Sequence, residues 1–178
     1  MRLFIAVALP ARVLDEMDRV SAQLRPLGLT ANFVKRENMH VTILFLGEVP
    51  EEGRVIERLK AVKVAPFDAK LSRLGVFPNP SFVRVIWCGV EGHGFTELHN
   101  KAAAVLARTR MKNFTAHVTL ARVKALSDKE ALLERLNKAG LNDVSFRVNA
   151  FQLMSSRLTP QGPVYSVVQH FLLAPQAF

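Results

Sequence analysis

Cysteine is nearly absent: Cys88 is the only one in 178 residues, so no intramolecular disulfide can form and no Cys cluster can hold zinc or an iron–sulfur centre. A reducing compartment suits such a chain, and a cytoplasmic location is expected. Glycine and proline are scarce at nine each, which excludes collagen-like and low-complexity readings. Long hydrophobic runs are missing too. The most apolar terminal stretch, Leu3 to Leu9, is too short for a membrane helix and lacks a small-residue cleavage site, so no membrane association is expected. What is present is core: 49% of the residues are hydrophobic and no linker or composition shift divides them, so residues 1–178 read as a single domain.

Acidic residues are outnumbered. Lys and Arg total 24 against 15 Asp and Glu, a net charge of +9, which points to an anionic partner. The basic residues are spread out (Arg2, Lys35, Arg36, Arg84, Arg108, Arg110, Lys112, Arg122, Lys124), as on a folded basic surface and unlike a disordered arm.

Apolar periodicity predicts strands over residues 2–9, 38–46, 116–123, 144–154 and 164–173, with helices over 11–25, 51–62, 95–108 and 127–139. A hairpin is expected where 69–77 and 81–90 flank Pro78-Asn79-Pro80, and a turn over Thr159 to Pro163. Ser127 with Glu130 has the form of a capping box. Strand, helix, strand, helix, strand occurs twice, in approximate repeats 1–77 and 81–173, which predicts two similar lobes in one domain.

Each repeat contains one strand of the same form: His40-Val41-Thr42-Ile43-Leu44 and His117-Val118-Thr119-Leu120-Ala121. About 0.2 His-x-Thr matches are expected by chance from this composition, so two in corresponding places carry information. Residues i and i+2 of a strand share a face about 6.6 Å apart, so each motif sets an imidazole and a hydroxyl side by side. Two such strands meeting about a pseudo-two-fold axis would surround a tetrahedral anion. One imidazole can then take a proton from an attacking oxygen while the other gives one to a leaving oxygen, and the Thr42 and Thr119 hydroxyls can donate to the non-bridging oxygens. Two distant histidines without a nearby Asp, Glu or Cys fall short of the three protein ligands a zinc site needs, so no metal is expected.

With these residues in view, His40-Val41-Thr42-Ile43-Leu44-Phe45-Leu46-Gly47 and His117-Val118-Thr119-Leu120-Ala121-Arg122 resemble the signature segments of the two-histidine phosphoesterase superfamily. More narrowly they resemble the RNA 2′,3′-cyclic phosphodiesterases, also called 2′-5′ RNA ligases. The resemblance extends over the Arg-Leu-Phe-Ile-Ala start, Arg84 to Trp87, and Ser155 to Tyr165. It implies a bilobal, pseudo-two-fold duplicated α+β fold, with two antiparallel sheets lining a central cleft and helices outside. It also implies hydrolysis of a terminal 2′,3′-cyclic phosphate to a 2′-phosphate without metal or other cofactor. By position His40 would be the proton donor to the 3′ oxygen and His117 the acceptor from water, with Arg122 as the phosphate-contacting arginine. The implied partner is RNA with a cyclic phosphate end, or a small cyclic nucleotide; no obligate protein partner is evident. Some relatives also join such an end to a 5′-hydroxyl.

Strict alternation puts Arg122 on the face opposite His117, so a bulge or the strand end would have to re-aim it. The same parity sends Phe45 to the core, although Phe45 and Phe114 are both candidates to stack on a base. Cys88 reads as a buried small residue, and His93, His99 and His170 as structural or exposed. A reading of another class is a nucleotide- or RNA-binding module that holds phosphate in the same cleft without turnover.

Overall fold

Leu3 to Val7 are five successive buried residues, a run that only a strand covered on both faces can hide. In the computed structural model, which describes residues 1–109, 113–160 and 162–174, this strand is β1 (Arg2–Ala8). Arg110, Lys112 and the turn residue Gln161 lie outside the described residues. β1 pairs antiparallel with β3 (His40–Glu48) on one side and β8 (Ala150–Thr159) on the other. Pro10 then opens α1 (Ala11–Leu24), its carbonyl accepting from the Val13 and Leu14 amides. Val13, Met17, Val20 and Leu24 recur at helical spacing and are buried.

The remaining strands are β2 (Thr30–Phe33), β4 (Phe67–Asn79), β5 (Phe82–Glu91), β6 (His117–Ala125), β7 (Ser145–Val148) and β9 (Gly162–Leu172). The other helices are α2 (Glu52–Leu59), α3 (His93–Val105) and α4 (Lys129–Lys138). Strand order is β7-β4-β5-β6-β3-β1-β8-β9, with β2 on β6. The order is symmetric about its centre: β6-β5-β4-β7 runs outward one way and β3-β1-β8-β9 the other. These two antiparallel sheets are the expected lobes, and they join at a single bridge between Val41 and Val118. Beyond that bridge β2 takes the edge of β6, from Thr30 with Ala125 to Phe33 with Ala121. The two histidine strands therefore diverge, which opens the cleft.

The lobes exchange strands relative to chain order. β8 and β9, late in the chain, complete the sheet begun by β1 and β3, whereas β2 joins the sheet of β4 to β7. Residues 144–154 are accordingly two strands, not one: they part at Asn149, where the chain leaves β4 and crosses to β1. The cap of α4 also differs from expectation. Asp128 accepts from the Ala131 amide at 2.8 Å, so the helix starts one residue later than Ser127 predicts.

Glycine matters most at the start of α3. A Cβ on Gly94 would lie 2.0 Å from the Phe67 ring, which itself packs edge-on against Phe95 with centroids 4.9 Å apart. Gly94→Ala is expected to destabilise the fold by about 1–3 kcal/mol through overpacking, read as a lower denaturant midpoint at unchanged slope. An unchanged midpoint would show that Phe67 has room to move.

Candidate active site

Directly opposed residues of an antiparallel pair share a face, so the registers show where each side chain of the two motifs is presented. Thr42 pairs with Ala6 and Phe45 with Phe4. Phe4 and Ala6 are two apart on β1 and share a face, so Phe45 lies on the face of Thr42 and His40. One extra residue, Ile43, has been inserted: Leu44 pairs with Ile5, then Thr42 with Ala6. The second motif repeats this. Arg122 pairs with Val85, Ala121 with Ile86 and Thr119 with Trp87, leaving Leu120 over. These are β-bulges, and they bring Arg122 onto the face of His117 and Thr119. The expectation that Phe45 packs in the core is overturned for the same reason; its ring is 70% exposed.

The bridge at Val41 and Val118 sets His40 against Thr119 and Thr42 against His117. The ladder thus places two imidazoles on one diagonal and two hydroxyls on the other. Both rings are held alike. His40 Nδ1 donates to the Asn38 carbonyl at 2.8 Å and His117 Nδ1 to the Thr115 carbonyl at 2.7 Å. A carbonyl only accepts, so the Nδ1 proton is fixed and Nε2 carries the exchangeable site in each ring. His40 Nε2 is 2.9 Å from Thr42 Oγ1.

The surroundings break the symmetry. Phe4 and Tyr165 stand 5.0 and 5.5 Å from His40 between ring centroids. The carbonyl of Pro163 accepts from Asn38 Nδ2 at 3.4 Å, so the β8–β9 hairpin braces the residue that orients His40. His117 instead has Phe77 edge-on at 5.1 Å and Trp87 at 6.0 Å, the two stacked on each other at 4.8 Å. Gly75 lies across from Trp87; a Cβ there would come within 2.4 Å of the indole, so only hydrogen fits. Asn38, Phe4, Tyr165, Phe77 and Trp87 are not among the site residues expected from the sequence, although Phe4, Trp87 and Tyr165 fall in segments that share the family resemblance.

Burial lowers the pKa of His40 and of His117 below the ordinary 6.5, opposed in each by the carbonyl bond. The Arg122 guanidinium pushes both the same way, which places its charge within reach of both rings. His117 also lowers His40. Arg122 has no ion pair among the described residues. Its charge is available to an anion.

The other candidates lie elsewhere. Phe114 stacks on buried His99, centroids 4.5 Å apart. His93 and His170 are exposed. The Cys88 thiol is buried, with its pKa pushed up to about 12 mainly by desolvation. Among the described residues no group of three His, Cys, Asp or Glu could hold a metal ion, and no helix is long and apolar enough to cross a membrane.

A family model described as the 2′-5′ RNA ligase superfamily matches residues 10–159. The chain belongs to that superfamily. Several proteins named RNA 2′,3′-cyclic phosphodiesterase are similar along nearly their whole length. The one from Archaeoglobus fulgidus is 36% identical, covering 96% of this chain and 99% of its own. That from Methanocaldococcus jannaschii is 33% identical, covering 96% and 100%. Among solved structures, a Thermus thermophilus protein superposes with a TM-score of 0.85 at 32% identity over 99% of this chain and 100% of its own. Escherichia coli LigT complexed with 3′-AMP shares the superfamily fold with a TM-score of 0.76 at 23% identity, covering 97% and 98%.

In the free protein both imidazoles are expected to titrate below 6.5, and inorganic phosphate in the cleft should raise at least one of them by favouring its charged form. Histidine NMR titration with and without phosphate measures this. As the unfolded chain takes up these protons first, stability present above about pH 6.5 should decline on acidification toward the lowered folded values. A ring titrating at or above 6.5 without phosphate would contradict the desolvated site.

Proposed function

We propose that this chain hydrolyses RNA 2′,3′-cyclic phosphate ends to 2′-phosphates by acid–base catalysis between His40 and His117. The observation that carries this reading is the pair of like-held imidazoles on adjacent strands, each with Nδ1 fixed on a carbonyl and Arg122 turned toward both by its bulge. The names of the relatives agree with it.

His40 gives its Nε2 proton to the departing 3′ oxygen and His117 Nε2 takes one from the attacking water. An exposed aromatic shelf, Phe45 with Tyr165 and Phe4 behind it, stands on the His40 side and suits the base of the terminal nucleotide, which puts the leaving ribose there. Until substrate arrives Thr42 occupies His40 Nε2. The free site favours neutral imidazoles, and the bound phosphodiester anion restores the proton that the acid needs. Arg122, Thr42 and Thr119 donate to the non-bridging oxygens as charge builds. No step requires a metal.

His40→Ala or His117→Ala should lower kcat on a cyclic phosphate-ended oligonucleotide by about 10² or more in the presence of EDTA. Turnover near wild type in either variant would sink the acid–base assignment, and phosphate-dependent binding without turnover in the wild type would leave a binding module. Thr42→Ser and Thr119→Ser should stay active, whereas Thr→Val at either position should cost about 2.7–4 kcal/mol of transition-state stabilisation, read from kcat/KM. Unchanged kcat/KM in both Val variants would reduce the threonines to strand formers.

A further inference from the structure

Past the single bridge between Val41 and Val118 the two histidine strands part in both directions, and the two gaps are closed differently. Beside β6 the gap holds a strand: β2 lies along it, and the Val34 amide just beyond takes the Leu120 carbonyl at 2.8 Å. Beside β3, among the described residues, no strand lies on that edge past Val41. A side chain stands there instead. His99, from the middle of α3 and fully buried, donates from Nδ1 to the Ile43 carbonyl at 2.8 Å.

Ile43 is the extra residue of the first bulge, so this bond holds the point at which β3 turns Phe45 toward the cleft. The same imidazole lies flat against Phe114, centroids 4.5 Å and planes 11° apart. Phe114 immediately precedes Thr115, whose carbonyl accepts from His117 Nδ1. One ring therefore touches both half-sites. An apolar side chain would fill the space but leave a buried carbonyl without a donor, and a short amide would reach the carbonyl but give up the stack. Acid–base work across one phosphate needs the two Nε2 atoms on opposite sides of phosphorus, each within hydrogen-bond reach of its oxygen. A misplacement of about 1 Å can cost about 10²-fold in rate. The backbone ladder fixes that separation at one residue pair only.

We propose that His99 is a positioning residue that ties the two histidine strands to each other and so sets the separation of His40 and His117 across the phosphate, an inference that rests on the acid–base assignment above. It meets neither substrate nor the reacting atoms. Its effect passes through Ile43 to the first motif, and through Phe114 and Thr115 to the second.

Two substitutions divide the tie. His99→Phe keeps a ring against Phe114 and loses the donor, whereas His99→Asn keeps an amide donor in place of Nδ1 and loses the stack. On a cyclic phosphate-ended oligonucleotide, with folded protein counted from its resolved His40 and His117 NMR signals, each should lower kcat about tenfold or more and leave KM within about threefold. Phe114→Leu should lower kcat in the otherwise wild-type protein, but by no more than about twofold in the His99→Asn background, where the stack is already gone. In the wild-type protein, inorganic phosphate should shift the His99 ring signals with the same half-saturation as those of His40 and His117, a measurement that requires no variant to fold. Wild-type kcat in folded His99→Phe or His99→Asn, full additivity of Phe114→Leu with His99→Asn, or His99 signals unmoved at saturating phosphate would overturn the tie alone, provided His40→Ala and His117→Ala are impaired. Near-wild-type turnover in His40→Ala or His117→Ala would overturn the acid–base reading and this one with it.

Discussion

One extra residue in each histidine strand decides what the cleft contains. With unbroken alternation Arg122 would point into the same face as Val118 and Leu120, both fully buried, and a guanidinium without a counter-ion there is prohibitively costly. The bulge spares it that burial and turns it outward beside His117. A bulge leaves a carbonyl without its ladder partner, and each is satisfied separately. Ile43 O accepts from His99 Nδ1 at 2.8 Å, and Leu120 O from the Val34 amide at 2.8 Å. Buried His99 thus acts as a brace for the strand that presents His40, and the segment after β2 does the same for His117.

Electrostatics follow from that placement. Two desolvated imidazoles and one exposed guanidinium share the cleft; burial is the main cause that disfavours charging of both rings, and the guanidinium adds to it. In the empty cleft Arg122 is then the lasting charge, and an arriving phosphodiester is what makes an imidazolium favourable. On the proposed acid–base reading, charging of the acid is in this way tied to occupancy, in a chain whose overall charge of +9 already draws anions toward it.

Much of this was legible in the residues. The His-x-Thr spacing determines that His40 and Thr42 share a face, whatever the fold, and the repetition around His117 indicated a partner. Arg122 and Phe45 defeated a parity argument because a bulge has no signature when the inserted residues, Ile43 and Leu120, are ordinary strand formers. β2 was invisible for another reason: Thr30-Ala31-Asn32-Phe33 has little apolar character, and its pairing comes from β6, not from its own pattern. The rings around the histidines meet only through the topology. Tyr165 reaches His40 because β9 returns to the first lobe, a contact that local periodicity cannot foretell.

That return has a consequence during synthesis. β1 can pair with β3 soon after both have emerged, but its other edge belongs to β8, which begins 142 residues after Ala8. At translation speeds of about 5–20 residues per second, that edge stays uncovered for roughly 7–30 s. An apolar strand with one free edge invites pairing with other chains. The lobe built from β4 to β7 can close meanwhile. Because Tyr165 and Pro163 arrive later still, the contacts that flank His40 and Asn38 are the last part of the cleft to be assembled during synthesis.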